Sequence, residues 1–289
     1  MPRLRHGART THRGAVSEVL LSRAGRRYVA DLSDPLSIAM PVDFDGVQPN
    51  HFGAARAHAA AVSGSGFVGD VRAGGTVNCE SLSITPHCNG THTECVGHVT
   101  SDRIAVHEVL RGGLHVARLV SVRATPIGQS ADRADPEADP AEGVITAVTL
   151  AAALQCHAGE SEALIVRTLP NDPGKLSCRY EGDAPAPYFT AEAAALVVAA
   201  GVRHLVVDLP SLDRARDGGR LTAHRVFWGM PSGAQRAHDA TRGEATITEL
   251  AWIAPTVRDG WYLLDLQVPA FMSDAAPSRP LLYPVRPHD

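Results

Sequence analysis

The chain has 289 residues, of which 44% are hydrophobic, and 27 Lys and Arg face 31 Asp and Glu for a net charge of -4. That composition supports a sizeable core, and the missing basic excess argues against nucleic acid as a partner. No run approaches the ~18 consecutive apolar residues of a membrane span, and an odd count of five cysteines (79, 88, 95, 156 and 178) fits reduced thiols in a cytoplasmic protein better than a disulfide framework.

Residues 1–27 are basic but lack the apolar run of a signal peptide, so a flexible arm is expected there, ahead of one domain over 28–289. Arg26-Arg27 superficially suggests a twin-arginine signal, but the segment after it is too polar. Residues 28–42 (YVADLSDPLSIAMPV) read as a strand, a Pro-containing turn and a second extended piece. The Ala-rich stretch 53–62 reads as a short helix. Alternation of Val77, Cys79, Leu82 and Ile84 suggests a strand running up to Pro86. Residues 101–110 suggest a helix, 114–124 a strand and 127–142 a solvated acidic loop. Residues 144–155 look helical and 162–169 read as a buried strand. A Pro- and Gly-rich loop is expected over 170–188. The clearest helix spans 190–202, with Thr190 as cap, Glu192 in the first turn and Gly201 at its end. A buried strand ending in the polar turn VVDLPSLD follows, then a Gly-rich loop at 229–244 and three closing strands. Intermixed strands and helices, with antiparallel pieces at both ends, predict an α/β or α+β fold.

Chemistry concentrates in HCNGTHTECVGH, residues 87–98. If Thr91–Cys95 is extended, His92 and Glu94 lie on one face and can meet one cation. The Asn89-Gly90 turn can fold Cys88 back toward the same point, and Gly90 allows close approach of the backbone. Imidazole, thiolate and carboxylate together suit Zn²⁺, with Mn²⁺ less comfortable beside a thiolate. His98 would reach the rim, where a histidine serves as general acid or base. By alternation His87 and Cys95 face away. The spacing matches no standard structural zinc pattern, so an open catalytic site is favoured over a closed one. A thiol enzyme pairing Cys88 with His87 or His98, or a solvated polar loop, stays open on spacing alone. Ser211 and Asp213 lie at a strand's C-terminal end, where α/β sites form, although a plain capping turn explains them equally well.

The stretch CNGTHTECVGH resembles the H-x-G-T-H-x-D-x-P-x-H signature of the cyclase superfamily, which includes bacterial kynurenine formamidases and isatin hydrolases. Aligned on Gly90-Thr91-His92, the signature's first histidine falls on Cys88, its aspartate on Glu94, its proline on Val96 and its last histidine on His98. DLSDPLSIAMPV (31–42), ALIVRT (163–168), YFTAEAAALVVAAGVRHLVVDLPSLD (188–213), LTAHRVFWG (221–229) and ITELAWI (247–253) are similar to further family segments in the same order. The resemblance implies an α/β fold with a mixed, barrel-like sheet flanked by helices. It also implies metal ligands at Cys88, His92, Glu94, His224 and Glu249, with one or two Zn²⁺ (alternatively Mn²⁺) per chain. The stretch 230–245 looks inserted between His224 and Glu249 and puts Glu249 in more doubt. The expected activity is hydrolysis of an amide or lactam C–N bond, with His98 as acid and base and Ser211 and Asp213 on the substrate side. Competing readings are thiol chemistry at Cys88, a polyketide-type cyclase, and a metal-binding module without catalysis. The expected partners are a small-molecule substrate and further copies of the chain, as a homodimer or larger; neither nucleic acid nor membrane is expected.

Overall fold

The computed structural model describes residues 17–23, 26–155, 161–180 and 186–288. Among the described residues its main sheet has eleven strands, ten of them numbered here in chain order: β1 (Glu18–Arg23), β2 (Arg26–Asp31), β3 (His92–Glu94), β4 (Leu114–Arg123), β5 (Ala163–Leu169), β6 (His204–Val207), β7 (Thr246–Glu249), β8 (Gly260–Asp265), β9 (Ala275–Pro277) and β10 (Leu281–Pro287). Pairing runs β1-β2-β10-β8-β4-β5-β6-β7-β3-β9, and Leu36–Ser37 adds a short piece to β10. The central run β4-β5-β6-β7 is parallel, and the outer pairs are antiparallel. The fold is therefore the mixed α/β class expected from the sequence.

Strands β5 and β6 are buried on both faces, which is why ALIV and LVV within them read as apolar runs. In β5, Leu164 and Val166 pack with Leu205, Val207 and Ile247 on one side. Ala163 and Ile165 pack with Leu119, Val206 and Leu264 on the other. Each such side chain contributes about 1.5–3 kcal/mol on full burial. The first side is covered by α3 (Ala147–Gln155), α4 (Ala191–Ala199) and α5 (Thr222–Trp228). Thr190 caps α4 by accepting from the Ala193 amide at 3.1 Å, and Gly201 turns the chain away at φ 73°.

Several expectations change. The Ala-rich stretch is a strand, His58–Ala61, paired with Glu80–Ser83. Alanine's helix preference is too weak to nucleate so short a segment, and cross-strand bonds prevail. The helix expected over 101–110 shrinks to a turn, α2 (Val106–Val109), and β9 was not anticipated. Within the expected N-terminal arm, residues 18–23 and 26–31 form a hairpin continuing the sheet, whereas residues 1–16 lie outside the described set, as does Cys156. Among the described residues no helix is long and apolar enough to cross a membrane.

Candidate metal centre

Four segments converge at the C-terminal ends of β6 and β7. The first is α1 (Pro86–Asn89), a single helical turn with Pro86 in its first position. The alternation argument for His87 fails because this segment is helical. The ring turns inward, with Nδ1 3.1 Å from Glu94 Oε2 and Nε2 3.0 Å from Asp274 Oδ2. Burial opposes a charge on this imidazole, but Asp274 and Glu94 outweigh it and raise its pKa to about 10. Cys88 is buried in the same turn and belongs to none of the His, Asp and Glu groups whose ligand atoms lie within 4.8 Å of one another. Burial, and then the charge of Glu249, push its thiol pKa up, so nothing here activates it as a nucleophile. Gly90 is extended, and a Cβ there would lie 2.7 Å from Val42 Cγ2. Its small size serves the packing of Val42.

The second segment is β3. His92 and Glu94 are two apart on one face, both fully buried. The antiparallel register sets His92 opposite Glu249 of β7, the third segment, so the two side chains share that face. His92 Nδ1 bonds the Gly90 carbonyl at 3.0 Å, leaving Nε2 to face Glu249 Oε2 at 3.5 Å. Glu249 Oε1 accepts from the Leu212 amide at 2.6 Å. Burial and the neighbouring Glu94 raise its pKa, but His224 and His92 prevail and hold it down at about 2. The inserted stretch at 230–245 does not displace Glu249. It folds back, with Trp228 Nε1 donating to the Ala245 carbonyl at 3.0 Å just before β7 begins.

The fourth segment is α5, which carries His224. Asp213 Oδ1 and Oδ2 accept from the Ala223 and His224 amides at 2.7 and 3.0 Å, and Oδ2 also takes the His224 Nδ1 proton at 2.6 Å. One carboxylate thus caps the helix and orients the ring. Two leucines border this region with left-handed backbones, Leu221 (φ 48°) before α5 and Leu250 (φ 52°) after Glu249. Such strain persists only where the surroundings over-determine it.

With Nδ1 committed to Asp213, His224 Nε2 faces Glu94 Oε1 at 3.0 Å and Glu249 Oε1 at 3.3 Å. These distances are short, yet His224 Nε2, His92 Nε2 and both Glu94 oxygens make no well-aligned hydrogen bond and are buried. Lone pairs converging on one point, without donors between them, need extra protons or a cation there. Burial opposes a charge on His224, but the carboxylates around it, Glu94 foremost, raise its pKa well above the usual range and favour the protonated ring. A divalent ion meets the same demand, and the nitrogen and carboxylate donors suit Zn²⁺ or Mn²⁺.

His98 stands beside the cluster, its ring 4.4 Å from that of His87 and its Nδ1 3.5 Å from Asp274 Oδ2. His87 and His98 lower the Asp274 pKa well below the usual carboxylate range. A cavity of about 480 Å³ opens here, lined among others by Phe52, His87, His98, Ser211, Arg214 and Glu249. Ser211 thus sits on the cavity wall, whereas Asp213 is spent on His224 and α5. The structure brings His92, Glu94, His98, His224 and Glu249 together and adds His87 and Asp274. The sequence signal for His87 was its place beside Cys88; Asp274 had none, lying in an unremarkable loop.

Fold and cluster together define an α/β protein with a buried His and carboxylate centre open to a cavity. The chain belongs to the cyclase family: the model described as "Putative cyclase" matches residues 30–214, more than half of its length. Among solved structures it is similar to isatin hydrolase A from Labrenzia aggregata (15% identity, 86% of this chain and 93% of that one, TM-score 0.57). It is also similar to isatin hydrolase A from Ralstonia solanacearum (14% identity, 86% and 91%, TM-score 0.52). A third likeness is to a predicted metal-dependent hydrolase from Bacillus stearothermophilus (14% identity, 86% and 98%, TM-score 0.54). No curated protein matches the chain.

Proposed function

We propose that this protein is a metal-dependent hydrolase that opens an amide or lactam C–N bond in a small aryl substrate, such as an aryl formamide or an isatin-like ring. The observation that carries this reading is the set of buried, unaligned donor atoms on His92, Glu94 and His224. With Glu249 and His87 they would hold one or two Zn²⁺ or Mn²⁺ ions. When bound, such an ion supplies Lewis acidity toward water and a substrate carbonyl. The likeness to isatin hydrolases supports a cyclic or aryl amide as substrate, and the cavity of about 480 Å³ has the size of a small-molecule site.

The chain's own groups divide the remaining work. Asp213 fixes His224 in the Nδ1–H form. Asp274, between His87 and His98, orients both rings. His98 lies on the cavity wall, where it takes a proton from the attacking water and returns it to the leaving nitrogen. Ser211 contacts the substrate from the opposite lip. No observation favours a Cys88 nucleophile, because its thiol is held protonated. The first test is elemental analysis of the purified chain, followed by assay on aryl formamides and isatin before and after chelation. One or two equivalents of metal and activity lost with the metal are expected. Full activity in chelator, abolished instead by a thiol alkylator, would overturn the reading. The same reading carries assembly as a homodimer or larger, measurable by light scattering.

A further inference from the structure

A second cluster lies at the other end of the sheet. Glu162 immediately precedes β5, His204 opens β6, Thr246 opens β7, and His115 sits at the start of β4. The three parallel strands β5, β6 and β7 begin here and end toward the candidate centre. Thr246 and Glu249 are three residues apart on β7, or roughly 10 Å at about 3.3 Å per residue. The two clusters are therefore distinct.

The rings of His115 and His204 lie with centroids 4.1 Å apart, tilted at 44°, and His115 Nδ1 is 3.4 Å from Glu162 Oε1. Each imidazole has one nitrogen tied outward. His115 Nε2 bonds the Gly112 carbonyl at 3.2 Å, and His204 Nδ1 bonds Thr246 Oγ1 at 2.8 Å. The remaining nitrogens, His115 Nδ1 and His204 Nε2, are buried with no hydrogen-bond partner among the described residues. His204 is 1% exposed and His115 6%, whereas the Glu162 side chain is 31% exposed and leaves a path to solvent. One ligand atom from each of the three residues lies within 4.8 Å of the others. Leaving both of these ring nitrogens buried and unpaired is unfavourable. That cost disappears if the lone pairs bind an ion. A backbone carbonyl or a hydroxyl behind each ring is the arrangement that fixes the tautomer of a metal-ligating histidine.

We propose that His115, Glu162 and His204 form a second divalent-metal site, separate from the candidate catalytic centre, that takes Zn²⁺ or a similar borderline cation with water as fourth ligand. Two imidazoles and one carboxylate are a common zinc ligand set. The short strand β6 and the approach of Glu162 to it then tie the bases of three strands to one ion.

The test is zinc titration of the full-length chain against a chromophoric chelator, comparing wild type with His115→Gln and with Glu162→Gln. The partly exposed Glu162→Gln keeps the measurement sound should a change at buried His115 disturb folding, and far-ultraviolet circular dichroism checks both. Each variant is expected to lose one equivalent of zinc, or to bind it at least about tenfold more weakly. His92→Ala at the other centre should leave that equivalent in place. Equal zinc stoichiometry and affinity in wild type and a folded Glu162→Gln would overturn the proposal.

Discussion

At the scale of residues, function turns on which side chain of the His87-Cys88 pair faces the cluster. Cys88 occupies the family's histidine position by alignment, yet in space the His87 ring is the one 3.1 Å from Glu94 Oε2. His87→Ala should weaken metal binding by about tenfold or more, while Cys88→Ser should change it by less than about twofold. Chelator competition on both variants checks this, and the reverse order would restore Cys88 as the ligand. His98→Ala should keep its metal and lose about 10²–10⁴-fold in turnover, the range of a general acid–base group. Loss of metal along with activity would make His98 a ligand instead. Asp213→Asn keeps the shape but removes the charge that holds His224 Nδ1–H at 2.6 Å. Metal affinity should fall about 10–100-fold.

At the scale of elements, the site depends on register. A slip of β3 by one residue against β7 would turn His92 and Glu94 to the face opposite Glu249. That register is fixed by burial: Ile247 opposite Glu94 belongs to the main core, and Thr93 Oγ1 meets Thr248 Oγ1 at 2.8 Å behind the site. Helix α4 supports the same layer without touching the centre. Thr190→Ala removes its cap and should cost ~1 kcal/mol in urea unfolding, with metal content unchanged. The helix expected at 53–62 failed because propensity is a local quantity, whereas the strand at His58–Ala61 exists through its partner, Glu80–Ser83, further along the chain.

At the scale of the whole molecule, the centre concentrates buried carboxylates that need positive charge. Removing metal should lower the melting temperature, because ion binding to the native state alone stabilises it by mass action. In the stripped protein the compensation comes from protons, and its pH dependence has a definite sign. Glu249 has a folded pKa of about 2, below its ordinary 4.5, so its contribution is present above about 4.5 and is lost as pH falls through 2. His87 has a folded pKa of about 10, above its ordinary 6.5, so its contribution is full below about 6.5 and is lost as pH rises through 10. Thermal melts of chelated protein should therefore decline on both sides of pH 4.5–6.5. Metal-loaded protein should hold its stability to higher pH, because metal replaces the protons. Identical pH profiles with and without metal would contradict a metal at this cluster.

The sequence by itself determined the fold class, the buried central strands and the helix after Thr190, because apolar runs and caps are local signals that survive in the fold. It also marked His92, Glu94 and His98, whose spacing within one short stretch limits where their side chains point. Tertiary structure alone decided the rest. His87 turns inward because Pro86–Asn89 is helical, and Asp274 arrives from a loop before a three-residue strand that carries no pattern of its own. The partnership of His115, Glu162 and His204 is likewise invisible along the chain. It is made by parallel strands beginning side by side, and only folding brings those beginnings together.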